Sequence, residues 1–147
     1  MSFEQILVPY DASIYANHAF DDALKIAEKF GSKITVLTVL GTKVESTTGI
    51  SLEKAIEIQD GHEDVATKIL KDLGGLAKEK GVEFSFKVVN EQSTYKGIIN
   101  FLNSNSMDLL VMGSHGRSGI KKALLGSVAS NVVEHANCPV LIIKKTL

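Results

Sequence analysis

Three glycines and the polar residues around them are the part of this chain whose types and spacing suit chemistry. From Val111 to Val128 the sequence reads V-M-G-S-H-G-R-S-G-I-K-K-A-L-L-G-S-V, with Gly113, Gly116 and Gly126 spaced as G-x2-G-x9-G and Ser127 directly after the last. Glycine admits positive φ and lets a ligand come close to backbone N–H groups. The first turn of a helix adds unpaired N–H donors at the positive end of its dipole. A strand ending and a helix beginning across such a run make a cradle for phosphate. Glycines alone would equally suit a surface loop ahead of a helix. Neither of the two best-known glycine patterns is present: no Lys precedes Ser127 as G-x-x-x-x-G-K-[ST] requires, and Gly113, Gly116 and Gly119 are spaced by threes, unlike G-x-G-x-x-G.

Five strands and the helices between them must position that run. Ile6-Leu7-Val8 is a short apolar strand ended by Pro9, with Asp11 just past its carboxyl end. Ser13 suits the cap of a helix whose apolar positions Ala16, Ala19, Phe20, Ala23, Leu24 and Ala27 recur at three- and four-residue steps, and Gly31 ends it. Lys33 to Leu40 is rich in β-branched residues and predicts a second strand. A polar stretch from Gly41 to Gly49 reads as a mobile loop at the same end of the sheet, and a long helical pattern then runs from Ser51 to Lys80, with Gly61 as a bend or break. Val82 to Val89 predicts an edge strand, because Glu83, Ser85 and Lys87 share one face. A helix over about Thr94–Asn103 follows, then a buried strand ending at Met112 that delivers Gly113. A helix from near Ser127 to Ala136 and a strand over Val140–Ile143 complete the pattern.

Five strands alternating with helices predict an α/β fold, an open parallel sheet covered on both faces by right-handed crossovers. A ligand in such a sheet binds in the crevice at the carboxyl ends of the strands, where the winding reverses. If the fourth strand neighbours the first, Asp11 and Gly113 face each other there.

Composition bounds the rest. The 147 residues fit one domain over 1–147, large enough to bury about two-thirds of the surface its unfolded form exposes. Sixteen basic and seventeen acidic residues leave a net charge of −1, so no global field recruits nucleic acid or an anionic membrane. The single cysteine, Cys138, excludes an internal disulfide framework and a multi-cysteine metal site. The opening M-S-F-E-Q-I-L-V-P-Y lacks a basic run followed by a long apolar region, and no apolar stretch approaches ~18 residues; the expectation is a soluble cytoplasmic protein without a membrane partner.

Pro9-x-Asp11-x-Ser13 after the first strand, taken with Gly113-x2-Gly116-x9-Gly126-Ser127, resembles the universal stress protein family, in its ATP-binding branch, over the whole chain including the final N-C-P-V-L-I-I segment. The resemblance implies a Rossmann- or flavodoxin-like sheet of order 3-2-1-4-5 that binds ATP as a homodimer, with Mg2+ or Mn2+ beside the phosphates. It places Asp11 at the ribose, Pro9 and Tyr10 in the nucleotide pocket and the backbone near Val39 at adenine. Met112 lines the same pocket, and Gly113, Ser114, His115, Gly116, Gly126, Ser127 and Val128 wrap the phosphates. One departure stands out: members often show Gly-x-Pro before the third helix, where this chain has Glu91-Gln92-Ser93-Thr94.

Each residue also has a plainer role. Asp11 suits a turn or a helix cap as well as a ribose acceptor, and Ser127 suits a cap of the last helix as well as a phosphate hydroxyl. His115 is of a type that serves as a catalytic base but has no evident partner in sequence, which favours a backbone phosphate contact over chemistry. Arg117, Lys121 and Lys122 suit phosphate screening and a solvated surface equally. His18, His62 and His135 have no partners at metal-ligand spacing, and Cys138 has no basic neighbour in sequence except His135. The last strand is apolar on both faces at a sheet edge, which invites antiparallel pairing with a second copy through Val140 to Ile143. The leading expectation is an ATP-binding stress-response protein that works as a nucleotide-dependent switch or scaffold. The alternatives are a slow ATP hydrolase or phosphotransferase at the same site, using His115 or Asp11, and a dimeric interaction module with an empty pocket.

Overall fold

A computed structural model describes residues 2–41, 62–116 and 124–144, with side chains from residue 67 onward in the second helix. The loop expected at 41–49 lies outside these residues beyond Gly41, as do the first part of the long helical pattern, Gly61, Arg117, Lys121, Lys122 and the side chain of His62.

The chain runs β1 (Gln5–Pro9), α1 (Ile14–Phe30), β2 (Lys33–Leu40), α2 (His62–Glu79), β3 (Glu83–Asn90), α3 (Thr94–Ser104), β4 (Leu109–Gly113), α4 (Ser127–His135) and β5 (Val140–Ile143). The five strands form one parallel sheet of order β3-β2-β1-β4-β5. This is the predicted order, with β3 and β5 at the edges. β1 pairs Gln5–Pro9 with Lys33–Leu37 on one side and Ile6 and Leu7 with Leu109 and Leu110 on the other. Winding therefore reverses beside β1, and the crossovers leave the sheet on opposite faces there.

Alternation along the strands builds two cores. Ile6, Val8, Ile34, Val36 and Val111 turn to one face and pack with Phe20, Leu24, Ile69 and Leu73 of α1 and α2. Leu7, Leu37, Leu110 and Met112 turn to the other and pack with Ile98 and Leu102 of α3 and Val132 of α4. Phe20, Ile6, Leu7, Leu37, Ile98 and Leu110 are fully buried, and each such side chain contributes about 1.5–3 kcal/mol.

Local chemistry sets the ends of the elements. Ser13 caps α1 in an extended conformation, its Oγ accepting from Ala16 N–H at 3.1 Å, and Gly31 ends the helix in the left-handed region at φ 67°. Asp108 ties β4 to the chain start: one carboxylate oxygen accepts from the N–H groups of Glu4 and Gln5 at 2.9 and 2.8 Å. None of the helices among the described residues is long and apolar enough to cross a membrane.

Candidate functional site

At the carboxyl ends of β1, β2 and β4 lies a cavity of ≈ 300 Å³, closed by the first turns of α3 and α4. Of the twelve predicted site residues, Pro9, Tyr10, Asp11, Val39, Met112, Gly113, His115, Gly116, Gly126, Ser127 and Val128 line it. Ser114 does not; it is buried, and its carbonyl accepts from Gly126 N–H at 2.8 Å, joining the two ends of the glycine run.

Part of the cavity wall is apolar, formed by Leu37 and Val39 of β2, Ile98 of α3 and Met112 of β4. Another part is backbone. Gly126 caps α4 with φ −63° and ψ 161° and makes no side-chain cap bond, and Ser130 N–H to Gly126 O at 2.9 Å opens the helical ladder. Ser127, Val128 and Ala129 of the first turn line the cavity, at the positive end of the helix dipole. Ser127 is consequently not the cap that its type suggests: it is the first helical residue, one position past the cap. The glycine N-cap displaces it because only the residue before the first helical turn keeps an extended backbone.

Asp11 follows β1, which lies between β2 and β4 in the sheet, and lines the cavity. Its Oδ1 accepts from Ser13 N–H at 2.9 Å, and a Cβ on Gly116 would stand 3.0 Å from its Oδ2. Asp11 thus serves the turn before α1 and also borders the glycine loop. The residue between Asp11 and the cap, Ala12, has φ 63°, a left-handed conformation that costs a non-glycine residue about 1–2 kcal/mol.

The glycines act by close approach. Among the described residues only Gly31 and Gly81 are glycines with positive φ, so Gly113, Gly116 and Gly126 need no left-handed backbone. A Cβ on Gly113 would meet Tyr15 Cβ at 2.8 Å and Tyr15 O at 2.9 Å, which makes it the seat of α1 against β4. A Cβ on Gly126 would meet Ser114 O at 3.0 Å.

His115 has partners that the sequence did not disclose. Its Nδ1 is 3.0 Å from Ser114 Oγ, and its ring lies 5.5 Å from that of Tyr15. Thr38, also unanticipated, donates from Oγ1 to Tyr10 O at 2.9 Å and fixes the backbone at the mouth of β1. Tyr10 itself turns its ring to the core, donating from its hydroxyl to Asn17 Oδ1 at 2.7 Å. Burial, and then the neighbouring Asp11 and Asp72 charges, push that phenol above its ordinary value, so it stays neutral. Leu37, Thr94 and Ile98 also line the cavity, although their pattern reads only as core or helix start.

The fold and the crevice define a doubly wound α/β protein with a ligand-sized cavity at its switch point. The family model described as "Universal stress protein family" matches residues 2–144, and the chain belongs to that family. A universal stress protein of Methanocaldococcus jannaschii is 31% identical over 144 residues, covering 97% of this chain and 83% of the relative. The universal stress protein YxiE of Bacillus subtilis is 33% identical over 148 residues, covering 97% and 99%. The solved universal stress protein UspA of Lactobacillus plantarum superposes with a TM-score of 0.81 at 25% identity, covering 97% of this chain and 99% of that one. Two more distant solved relatives share the fold and are described with a nucleotide. One, from Arabidopsis thaliana with AMP bound, has TM-score 0.68 at 19% identity and coverage of 97% and 92%. The other, from Archaeoglobus fulgidus in complex with dAMP, has TM-score 0.66 at 22% identity and coverage of 98% and 100%.

Proposed function

We propose that this protein binds ATP in the crevice and works in the cytoplasm as a nucleotide-dependent switch or scaffold of the stress response. The observation that carries this reading is the make-up of one cavity. Its lining combines apolar side chains, Leu37, Val39, Ile98 and Met112, with a carboxylate, Asp11, and with the glycine backbone and the start of α4. Base, ribose and phosphates need those three environments. The AMP- and dAMP-bound relatives of like fold support an adenine nucleotide as the ligand.

In this reading Pro9, Tyr10, Val39 and Met112 line the base and ribose end. Gly113, His115, Gly116, Gly126, Ser127 and Val128 surround the phosphates, with Ser114 behind them joining the two ends of the glycine run. Among the described residues no three His, Cys, Asp or Glu side chains converge on a common point, so Mg2+ or Mn2+ would be carried chiefly by the phosphates. The runner-up, a slow hydrolase or phosphotransferase, draws on one observation: His115 lines the cavity and is hydrogen-bonded through Nδ1 to Ser114. No Lys stands where a Walker lysine would, so turnover is expected well below about 1 s⁻¹. The homodimer belongs to the same proposal. β5 is an edge strand whose Leu141 is 38% exposed, and a second copy pairing with it would cover that side chain.

Calorimetric titration of nucleotide-stripped protein with ATP, ADP, AMP and GTP, each with and without Mg2+, tests the reading. Affinity that falls as phosphates are removed and fails for GTP is the expected result. No heat and no thermal stabilisation would leave an interaction module with an empty pocket.

A further inference from the structure

Gly97 sits in the first turn of α3, where no cap, turn or positive φ calls for glycine. A glycine inside a helix costs roughly 0.5–1 kcal/mol relative to alanine, so its reason has to be packing. A Cβ there would stand 2.7 Å from Val39 Cγ1, 2.9 Å from Val39 Cγ2 and 3.3 Å from Glu91 Cβ. Real Cβ atoms do not come as close as the two Val39 distances, and Val39 lines the cavity.

Glu91 has little freedom to move aside. Its N–H donates to Leu40 O at 2.8 Å, and its carboxylate accepts from Gln92 N–H at 3.1 Å and from Asn100 Nδ2 at 3.4 Å. Val39 is β-branched and stiff at χ1, so relief by rotation carries a methyl group to a new position beside the cavity. Relief by moving the helix carries Thr94 and Ile98, which line the same cavity. Either response narrows or distorts the slot between β2 and α3. The phosphate end stands on Asp11, Gly116, Gly126 and the start of α4 and does not rest on Gly97.

We infer that Gly97 is a specificity-determining residue: by omitting a side chain it seats α3 on Val39 and sets the width of the slot that admits a flat nucleobase. This inference rests on the nucleotide reading above and names the residue that governs one end of that site. The segment that departs from the family's Gly-x-Pro pattern supplies the backing, because Glu91 belongs to it.

The test is calorimetry with ATP and with inorganic tripolyphosphate on the full chain, its G97A, V39A/G97A and V39I variants, each checked for folding by circular dichroism. Expected are a tenfold or greater loss of ATP affinity in G97A, unchanged tripolyphosphate affinity, and recovery of most ATP affinity in V39A/G97A. V39I leaves the helix untouched and keeps the test open if G97A does not fold; it should weaken ATP in the same selective way. Equal weakening of both ligands, wild-type ATP affinity in G97A, or a double variant as weak as the single one would overturn the inference. A wild-type chain that binds tripolyphosphate but not ATP would remove the nucleotide reading itself, and the inference with it.

Discussion

Single atoms decide how the glycine run works. Gly126 is needed because its neighbours are backbone: a Cβ would meet Ser114 O at 3.0 Å and His115 Cα at 3.4 Å, and neither can swing away like a side chain. Gly126→Ala should therefore destabilise by about 1–3 kcal/mol, lowering the melting temperature by roughly 3–10 °C, and should weaken ATP as well. An unchanged melt would mean that the loop yields at no cost. Cys138 offers a pH test. Burial, and then the Asp108 carboxylate, raise its thiol above the ordinary value, so the neutral form persists to higher pH than in an unfolded chain. Alkylation by iodoacetamide at pH 8 should be several times slower than for a free cysteine peptide, and should reach the peptide's rate once urea unfolds the protein. Equal rates in the native state would place the thiol in solvent.

The elements that carry the site depend on their ends. The turn from β1 into α1 is held by two bonds, Asp11 Oδ1 from Ser13 N–H and Ser13 Oγ from Ala16 N–H, around the left-handed Ala12. Removing the cap in Ser13→Ala should cost about 1 kcal/mol, or roughly 2–4 °C in melting temperature. The N–H that holds Asp11 Oδ1 is backbone and persists in alanine, so ATP affinity is expected to fall only through fraying of the first turn of α1, since Ser13 lines no part of the cavity. A melt lowered with affinity intact would separate the cap from the site. The contrast with α4 follows from sequence: there a glycine occupies the cap and no side chain takes up the first donors, which leaves them for a ligand.

At the scale of the whole molecule, two edges and one crevice set what the protein can meet. β3 carries Glu83 and Lys87 outward at one edge, while β5 leaves Leu141 exposed at the other. Charged side chains discourage strand pairing at β3 and their absence allows it at β5. On the dimer proposed above, Leu141→Lys should give a monomer by light scattering. A dimer that survives the substitution would move the interface away from β5. Saturating ATP, at about a hundred times its Kd, should stabilise the chain by about 2.7 kcal/mol through mass action alone.

The strands and helices of the described residues were legible in the sequence, while the full sheet order and most of the cavity lining came with the family resemblance. Periodicity, caps and punctuating glycines are local, and five alternating units leave few topologies open. The position of Asp11 past β1 and of the glycine run past β4 followed from that topology. Only the tertiary structure decided which glycine serves what. Gly113 and Gly97 are required by Tyr15 and Val39, residues distant in sequence that come into contact when helices seat on the sheet. The pairing of His115 with Ser114 and Tyr15, the bond from Thr38 to Tyr10 and the left-handed turn at Ala12 likewise arise from packing. A chain states which residues prefer a helix or a strand; how closely two elements approach is fixed by the atoms that meet between them, and those are known only once the fold is formed.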